Sequence, residues 1–347
     1  MSGTPEAAIP ELEKALTEHP DSDNAAVMLA HSYVKTGRAK EATALLEKRL
    51  QANPGNARRL IFPLGEAYLA VPEVDKAMEQ YKKGLGEQPD PGTLDFVAYA
   101  LAEAKARLTD AESYSNRAMT LLSVNTADLL PETAHLEAFQ LMPELAKNWG
   151  TLGWIRFQQG DTEIGEKYLA ASWELMQNPV VGEHLVEAYE KGGKRQQAAK
   201  VCAMSRAAYG HEEVDSKLSK EMDRLRVYLP KNPNSPTYAM PQDGSMALSD
   251  FRTMHVPFHT KLQGNSRIAH FVISLSPDSK DAGIAFVSGA EELRGANAAL
   301  RRIKYPQTFP DNSKVHVLRK AVFSCSVYMK ECVLLLMPVT DAAVPEN

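Results

Sequence analysis

Two histidines and three cysteines are the side chains that could bind a metal or form a disulfide, if their spacing allows it. His255 and His259 are four residues apart, a spacing that on a helix would place two metal ligands on one face. Pro257 lies between them and would break such a helix, so we interpret both as ordinary strand or loop histidines. The sequence has no phosphate-binding glycine loop, nucleophile elbow or HExxH motif. We therefore predict a chain that is not an enzyme and has no catalytic residue, cofactor or metal.

Cys325 and Cys332 flank the turn of the last predicted β-hairpin symmetrically, so a cross-strand disulfide is geometrically possible. Such a bond would indicate an oxidising compartment. The alternative is a pair of free thiols in or near a hydrophobic core. Cys202 falls at a packing position of a predicted helix, and we interpret it as structural.

The basic residues Arg301, Arg302 and Lys304 lie beside Tyr305 and could contact a phosphate backbone. Three cations in the last turn of a helix are, however, what the helix dipole favours without a ligand. From Asp250 onward the sequence has 12 Lys and Arg and 9 Asp and Glu, which is a net charge of +3. The residues before Asp250 have 27 Lys and Arg and 35 Asp and Glu, which is a net charge of −8. This weak asymmetry predicts no nucleic-acid partner.

These side chains must be positioned by a mostly helical chain that repeats itself. Four alanines begin similar helical patterns at intervals of 34, 35 and 34 residues: Ala8, Ala42, Ala77 and Ala111. Three prolines follow at intervals of 34 and 35: Pro20, Pro54 and Pro89. A second apolar helical pattern precedes each of the last three alanines. The period predicts a repeated helix–turn–helix unit.

The repeat residues resemble the tetratricopeptide repeat (TPR) family. Leu64, Gly65, Tyr68, Ala77, Tyr81 and Pro89 are similar to its L-G-x2-Y…A-x3-F…P pattern, and Trp149, Leu152 and Gly153 to its W-x2-L-G opening. The fold class that this implies is mainly α, a superhelical α-α solenoid followed by a small α+β domain. The predicted helix pairs are 24–53, 58–88, 92–122, 146–178 and 180–209, with an insertion near 123–145 that we interpret as a helix or partial repeat.

Residues 5–18 resemble the second helix of a repeat whose first helix is missing. A repeat helix without its partner exposes an apolar face. Two interpretations stay open, namely that the chain is the C-terminal part of a longer protein, or that this helix is a short cap.

TPR solenoids bind partners in a groove lined by the first helix of each pair. Placing the repeats in phase gives eight candidate groove residues, with packing between repeats as the alternative role: Phe62, Glu66, Phe96, Glu103, Trp154, Phe157, Glu187 and Glu190. The Lys, Asn and Arg side chains with which some members of the family clamp a C-terminal carboxylate are absent from these positions. A basic or amphipathic peptide, or an adjoining domain, is the better electrostatic match.

The C-terminal part changes to strand patterns around one helix. The segment 268–275 alternates in polarity, whereas Leu293, Ala296, Leu300 and Ile303 form one apolar helix face. This predicts one helix on an antiparallel sheet of three or four strands, with a further strand from 249–258 as an option. The predicted domains are the solenoid 1–228, a linker 229–249, an α+β domain 250–340 and a tail 341–347.

The predicted α+β domain resembles the C-terminal domain of the TonB energy-transducer family. The similarity covers roughly 85 residues and includes Val287, Ser288, Gly289, Leu293, Ala298, Tyr305 and Pro306. It implies that fold but not energy transduction, because the membrane anchor and proline-rich spacer of that family are absent. The combination with repeats also resembles the C-terminal half of bacterial envelope proteins that carry a transglutaminase-like domain upstream.

The leading hypothesis is a non-enzymatic scaffold whose groove binds a peptide or partner protein, while the C-terminal domain docks or recruits a second partner. The alternative is the accessory C-terminal half of a larger enzyme. The longest apolar run, Cys332–Met337, is far short of the roughly 20 residues of a membrane span. We expect the periplasm or cell envelope if the chain belongs to a longer precursor, and otherwise the cytoplasm.

Overall fold

The computed structural model describes residues 4–208, 216–228, 248, 250–258, 266–311, 314–326 and 332–339. The chain divides into two compact units, Met1–Ser115 and Asn116–Asn347. The first unit is helical, and the second combines helices with one β-sheet. The predicted linker 229–249 and tail 341–347 lie almost entirely outside the described residues, so the predicted domain boundaries stay a prediction.

The first unit contains six helices and the start of a seventh: α1 (Pro5–Glu18), α2 (Asp23–Lys35), α3 (Ala39–Ala52), α4 (Ala57–Ala70), α5 (Val74–Leu85), α6 (Pro91–Glu103) and α7 (Leu108–Thr126). The side chain of Ser22 caps α2 by accepting from the N–H of Ala25, and Asp90 caps α6 by accepting from the N–H of Thr93. Such caps satisfy backbone donors that have no partner within the helix. The sequence thus sets where these helices begin.

Consecutive repeats of the first unit are joined by the same contact. The hydroxyl of Tyr33 on α2 donates to Glu13 on α1 over 2.7 Å, and the hydroxyl of Tyr68 on α4 donates to Glu47 on α3. The tyrosines are 35 residues apart and the glutamates 34 apart, which is the repeat period. Burial and the hydrogen bond to Glu13 raise the pKa of Tyr33 to about 12, so this hydroxyl stays a donor at neutral pH.

Glycines allow the helices of a pair to lie close together. A Cβ atom added at Gly65 on α4 would collide with the ring of Tyr81 on α5. The absence of a side chain at this repeat position therefore lets the tyrosine, which is fully buried, fill the space between the two helices.

Among its described residues, the second unit contains the end of α7 and the helices α8 (Leu136–Gln158), α9 (Thr162–Leu175), α10 (Pro179–Lys191), α11 (Arg195–Ala208) and α12 (Ser216–Leu225), and a short helix beside the sheet is given below. The residues that we expected to form an inserted helix or partial repeat do neither. They lengthen α7 and α8 and form the connection between these helices, and Pro143 lies within α8. Helix α8 is long enough to absorb the extra residues because apolar side chains continue along it from Ala138.

The sheet of the second unit has five antiparallel strands in the order β1–β5–β4–β2–β3. The strands are β1 (Thr253–Val256), β2 (Ser266–Leu275), β3 (Gly283–Gly289), β4 (Val317–Ser326) and β5 (Cys332–Leu336). The optional strand from 249–258 is β1. The predicted helix is a 3₁₀ segment, Glu291–Ala296, followed by the short helix α13, Asn297–Leu300.

The sheet and the helices of the second unit share one hydrophobic core. Leu293, Ala296 and Leu300 of the covering helical segment are fully buried, as their spacing predicts. The same core includes Met142 and Trp149 of α8. The ring of Trp149 meets Phe309 edge to face at 6.1 Å, and Met142 Sδ accepts from the N–H of Leu318 on β4. The predicted fold class, a mainly helical TPR-like solenoid with an antiparallel sheet and one covering helix, is confirmed.

Candidate partner-binding groove

Helices α1, α2 and α4 enclose a cavity of about 850 Å³ that we call the N-terminal cavity. It is lined mainly by small and apolar side chains, with five polar or charged exceptions. Its residues are Ala7, Ala8, Glu11, Leu12, Ala15, Val27, Met28, Ala30, His31, Ser32, Val34, Lys35, Pro63 and Glu66. Met28 is 52% exposed, and its flexible thioether can adapt to an apolar group.

Glu66 is the predicted groove residue that lines this cavity. Burial raises the pKa of its carboxyl group, and the charge of Lys35 partly opposes that rise. The pKa of His31 is lowered by burial and by Lys35, so the imidazole is mostly neutral at pH 7. A carboxylate that burial disfavours gains most from a cation that approaches it. The cavity is therefore suited to an apolar group with a positive charge beside it.

Phe62, Phe96 and Glu103 also belong to the first unit but do not line the N-terminal cavity. Phe62 stacks on Tyr81 at 6.3 Å between ring centroids and meets Phe96 edge to face at 5.7 Å. These contacts join α4, α5 and α6, so Phe62 packs between repeats. Phe96 is 37% exposed, and Glu103 lies exposed at the end of α6.

In the second unit, Trp154 and Phe157 form an aromatic stack on α8. Their ring centroids are 5.4 Å apart, and the indole of Trp154 also lies parallel to the imidazole of His184 on α10 at 3.8 Å. Trp154 is only 8% exposed. Its main contacts are therefore between helix pairs, and Phe157 forms the more accessible edge of the stack.

Glu187 and Glu190 lie half-buried on α10. Glu190 accepts two hydrogen bonds from the guanidinium of Arg224 on α12, one of them over 2.6 Å. Because this bidentate pair neutralises Glu190, a cationic partner would have to displace Arg224 to reach it. Of the eight candidate groove residues, Glu66 lines the N-terminal cavity.

Cys325 on β4 and Cys332 on β5 face each other across the ladder, with their Cα atoms 4.4 Å apart and their sulfur atoms joined in a disulfide. The bond in the native protein stays a prediction. Cys202 is a buried free thiol, and burial raises its pKa to about 12.

His255 lies on β1, whereas His259 lies outside the described residues. Within the described ranges, no three His, Cys, Asp or Glu side chains are grouped so as to hold a metal ion. The helices in those ranges include none with the length and hydropathy of a membrane span.

Sequence reasoning did not select the α1 side of the cavity as a site. The signal was present, since Ala8, Leu12 and Ala15 form an apolar stripe on α1. We expected this stripe, together with Leu16, to be an exposed apolar face. The four side chains are half-buried, and those of Ala8, Leu12 and Ala15 form one wall of the cavity.

The helix pairs define a TPR-like class of protein, and residues 1–60 match the model of a tetratricopeptide repeat family. A TPR repeat-containing protein of Pseudomonas aeruginosa is 27% identical over 169 residues, which cover 44% of this chain. The chain spans 29% of the length of that relative. Together these comparisons support the resemblance to TPR proteins, which generally mediate protein–protein interactions.

Two solved structures are similar to this chain. A thermophilic TPR protein of Thermus thermophilus has a TM-score of 0.42 at 19% identity, covering 59% of this chain and all of the other. PilF of Pseudomonas aeruginosa has a TM-score of 0.37 at 17% identity, covering 62% of this chain and 94% of the other.

Proposed function

We propose that this chain is a non-enzymatic interaction scaffold whose N-terminal cavity binds a segment of a partner protein. The TPR fold typically serves as such a scaffold. The observation that carries the proposal is the cavity of about 850 Å³, which combines an apolar lining with the half-buried carboxyl group of Glu66. Apolar cavities with few polar groups are the usual form of a binding site.

The bound segment is basic and amphipathic. Its apolar side chain enters between α1 and α2 and contacts Met28, and a Lys or Arg beside it pairs with Glu66. The pair gains strength because Glu66 is partly removed from water. In the proposed scaffold, the C-terminal sheet docks on its own helices and recruits a second partner. The TonB-like character of the sheet and a location at the cell envelope belong to this proposal and rest on the sequence alone.

Selection of peptides from a random display library on the full chain tests the proposed groove. We expect enrichment of peptides that carry Lys or Arg next to a large apolar residue. Glu66→Gln should abolish the preference for the cation, and Met28→Asp should weaken binding of the selected peptides by at least about fivefold, because a buried charge opposes the apolar contact.

Two substitutions serve as matched controls. Glu87→Gln makes the same charge change on an exposed residue outside the cavity, and Val124→Asp makes a comparable change at an exposed apolar position of α7. If no peptide is enriched, or if the controls weaken binding as much as the cavity variants, the proposed groove is wrong.

A further inference from the structure

The second unit has a cavity of about 1000 Å³ beside its sheet, which we call the C-terminal cavity. It lies between the start of α8, strands β2 to β4 and helix α13. None of the eight candidate groove residues lines it, whereas Arg301, which was considered from the sequence as a phosphate contact, does.

Exposed aliphatic side chains converge on this cavity. Leu136 is 44% exposed, Val287 is 59% exposed and Met337 is 39% exposed, and all three line it. They come from α8, from β3 and from the residue that follows β5, so the cluster exists only in the folded chain. An apolar cluster of this kind on a surface marks an interaction site more often than isolated exposed residues do.

The charged side chains at the C-terminal cavity are mostly positive. Arg301 and Lys320 line it and are exposed, and neither forms an ion pair within the part of the chain that the structure describes. Arg294 also lines it and is paired with Glu291. Among the described residues that line the cavity, Glu132 is the single carboxylate. The unneutralised charge is therefore positive, although the chain as a whole carries a net −5.

A cation–π contact holds one of these charges in place. The ammonium of Lys320 lies 4.9 Å from the ring centroid of Phe139, which holds it at the cavity wall through a cation–π contact.

We propose that the C-terminal cavity binds an acidic segment of a partner protein that carries aliphatic side chains. Carboxylates of the segment pair with Arg301 and Lys320, and an aliphatic side chain covers Val287 and Leu136. The inference rests on the proposed recruiting role of the sheet and names the chemistry of the recruited partner. This acidic segment is opposite in charge to the segment proposed for the N-terminal cavity, so the two surfaces select different partners.

Fluorescence anisotropy with the full chain and three synthetic probes tests this inference. The probes are short labelled peptides of alternating Glu and Leu, of alternating Lys and Leu, and of alternating Glu and Ser. The chain carries Met28→Asp in this measurement, so that binding at the N-terminal cavity is weakened. We expect the Glu–Leu peptide to bind at least about tenfold more tightly than either other peptide, because it alone matches both the charge and the apolar surface of the C-terminal cavity.

The double variant Arg301→Glu/Lys320→Glu should weaken binding of the Glu–Leu peptide by at least about tenfold. Its matched control is Arg302→Glu/Lys304→Glu, which makes the same charge change at exposed residues that do not line the cavity. A photoreactive residue at position 287 should crosslink to the peptide, whereas one at the exposed position 124 should not.

The proposal is overturned if the two double variants weaken binding equally, if the Glu–Ser peptide binds as tightly as the Glu–Leu peptide, or if no crosslink forms at position 287. A Glu–Leu peptide that fails to bind also overturns it. That failure is distinct from failure of the groove proposed for the N-terminal cavity, which would leave the display selection without enriched peptides that carry Lys or Arg next to a large apolar residue.

Discussion

The carboxylate of Glu174 on α9 accepts two hydrogen bonds from Thr308, one from its backbone N–H over 2.5 Å and one from its Oγ1 over 2.8 Å. The two residues are 134 positions apart and join the helices of the second unit to the segment after α13. Beside them, the hydroxyl of Tyr168 donates to Asp311, and the side-chain amide of Gln307 donates to the carbonyl of Ala171. Helix α9 thus holds the sheet through polar contacts at the edge of the shared core.

Replacement of Glu174 by Gln should change how stability depends on pH. Burial raises the pKa of Glu174 above its ordinary 4.5, and the hydrogen bonds from Thr308 only partly oppose this. Between 4.5 and the raised value the folded chain therefore binds more protons than the unfolded chain, and its stability falls as pH rises. The amide of Gln keeps an acceptor for Thr308 and carries no charge. The free energy of unfolding of Glu174→Gln, relative to that of the wild type, should therefore be higher at pH 7 than at pH 4.

Urea unfolding at both pH values measures this difference. Glu163→Gln on the same helix is the control with the opposite sign, because a hydrogen bond from Lys167 lowers the pKa of Glu163. In the wild type, the carboxylate of Glu163 stabilises the fold above pH 4.5, and this contribution is lost as pH falls through the lowered pKa. Equal pH dependence of the two variants would contradict the assignment for Glu174.

Removal of the sheet should destabilise the helices of the second unit. Met142 and Trp149 are 1% and 0% exposed, and the shared core that buries them includes sheet residues. A chain that ends at Tyr228 should therefore bind a hydrophobic dye and lose the cooperative thermal transition of the second unit. A chain that ends at Thr340 is the control. If the shorter chain keeps the melting temperature of the longer one, the helices fold independently of the sheet.

Substitution of Gly153 by Ala should cost about 1–3 kcal/mol because it forces atoms into a packed helix pair. A Cβ at this position would lie 2.8 Å from the backbone nitrogen of Leu169 and 3.0 Å from the carbonyl oxygen of Gly165. Backbone atoms on α9 cannot move aside as a side-chain end could. Gly55→Ala is the matched control, since its nearest neighbour is a side-chain atom at 3.6 Å. Chemical unfolding should show a change within about 0.5 kcal/mol for the control.

Titration of thiols in denaturant tests the predicted disulfide in protein purified from its own host. A bond between Cys325 and Cys332 leaves only Cys202 to react, whereas three reactive thiols would show that the bond is absent. The double variant Cys325→Ser/Cys332→Ser should lower the free energy of unfolding by about 2–3 kcal/mol, because the bond closes a short loop in the unfolded chain. Cys202→Ser, at a buried position outside the sheet, is the comparison for the loss of a thiol.

The sequence alone determined most of the local structure of this chain. Spaced alanines, prolines and glycines predicted the helix pairs, and the boundaries agree with the structure to within a few residues outside 123–145. The apolar spacing of Leu293, Ala296 and Leu300 predicted the buried face of the covering helical segment. These features depend on hydrogen bonds and side-chain periods within short stretches, so a short window of sequence is sufficient to specify them.

The candidate site depended more strongly on tertiary structure. Repeat phase placed Glu66 in a groove, but the same reasoning treated Glu190 as equivalent, although Arg224 on α12 neutralises it. No sequence pattern indicated that Thr308 would bind Glu174, or that Leu136, Val287 and Met337 would meet at one cavity. Such contacts join residues far apart in the chain and depend on complementary shape and charge across packed elements. Periodicity specifies which face of an element is apolar, whereas only the packed fold decides which other face covers it.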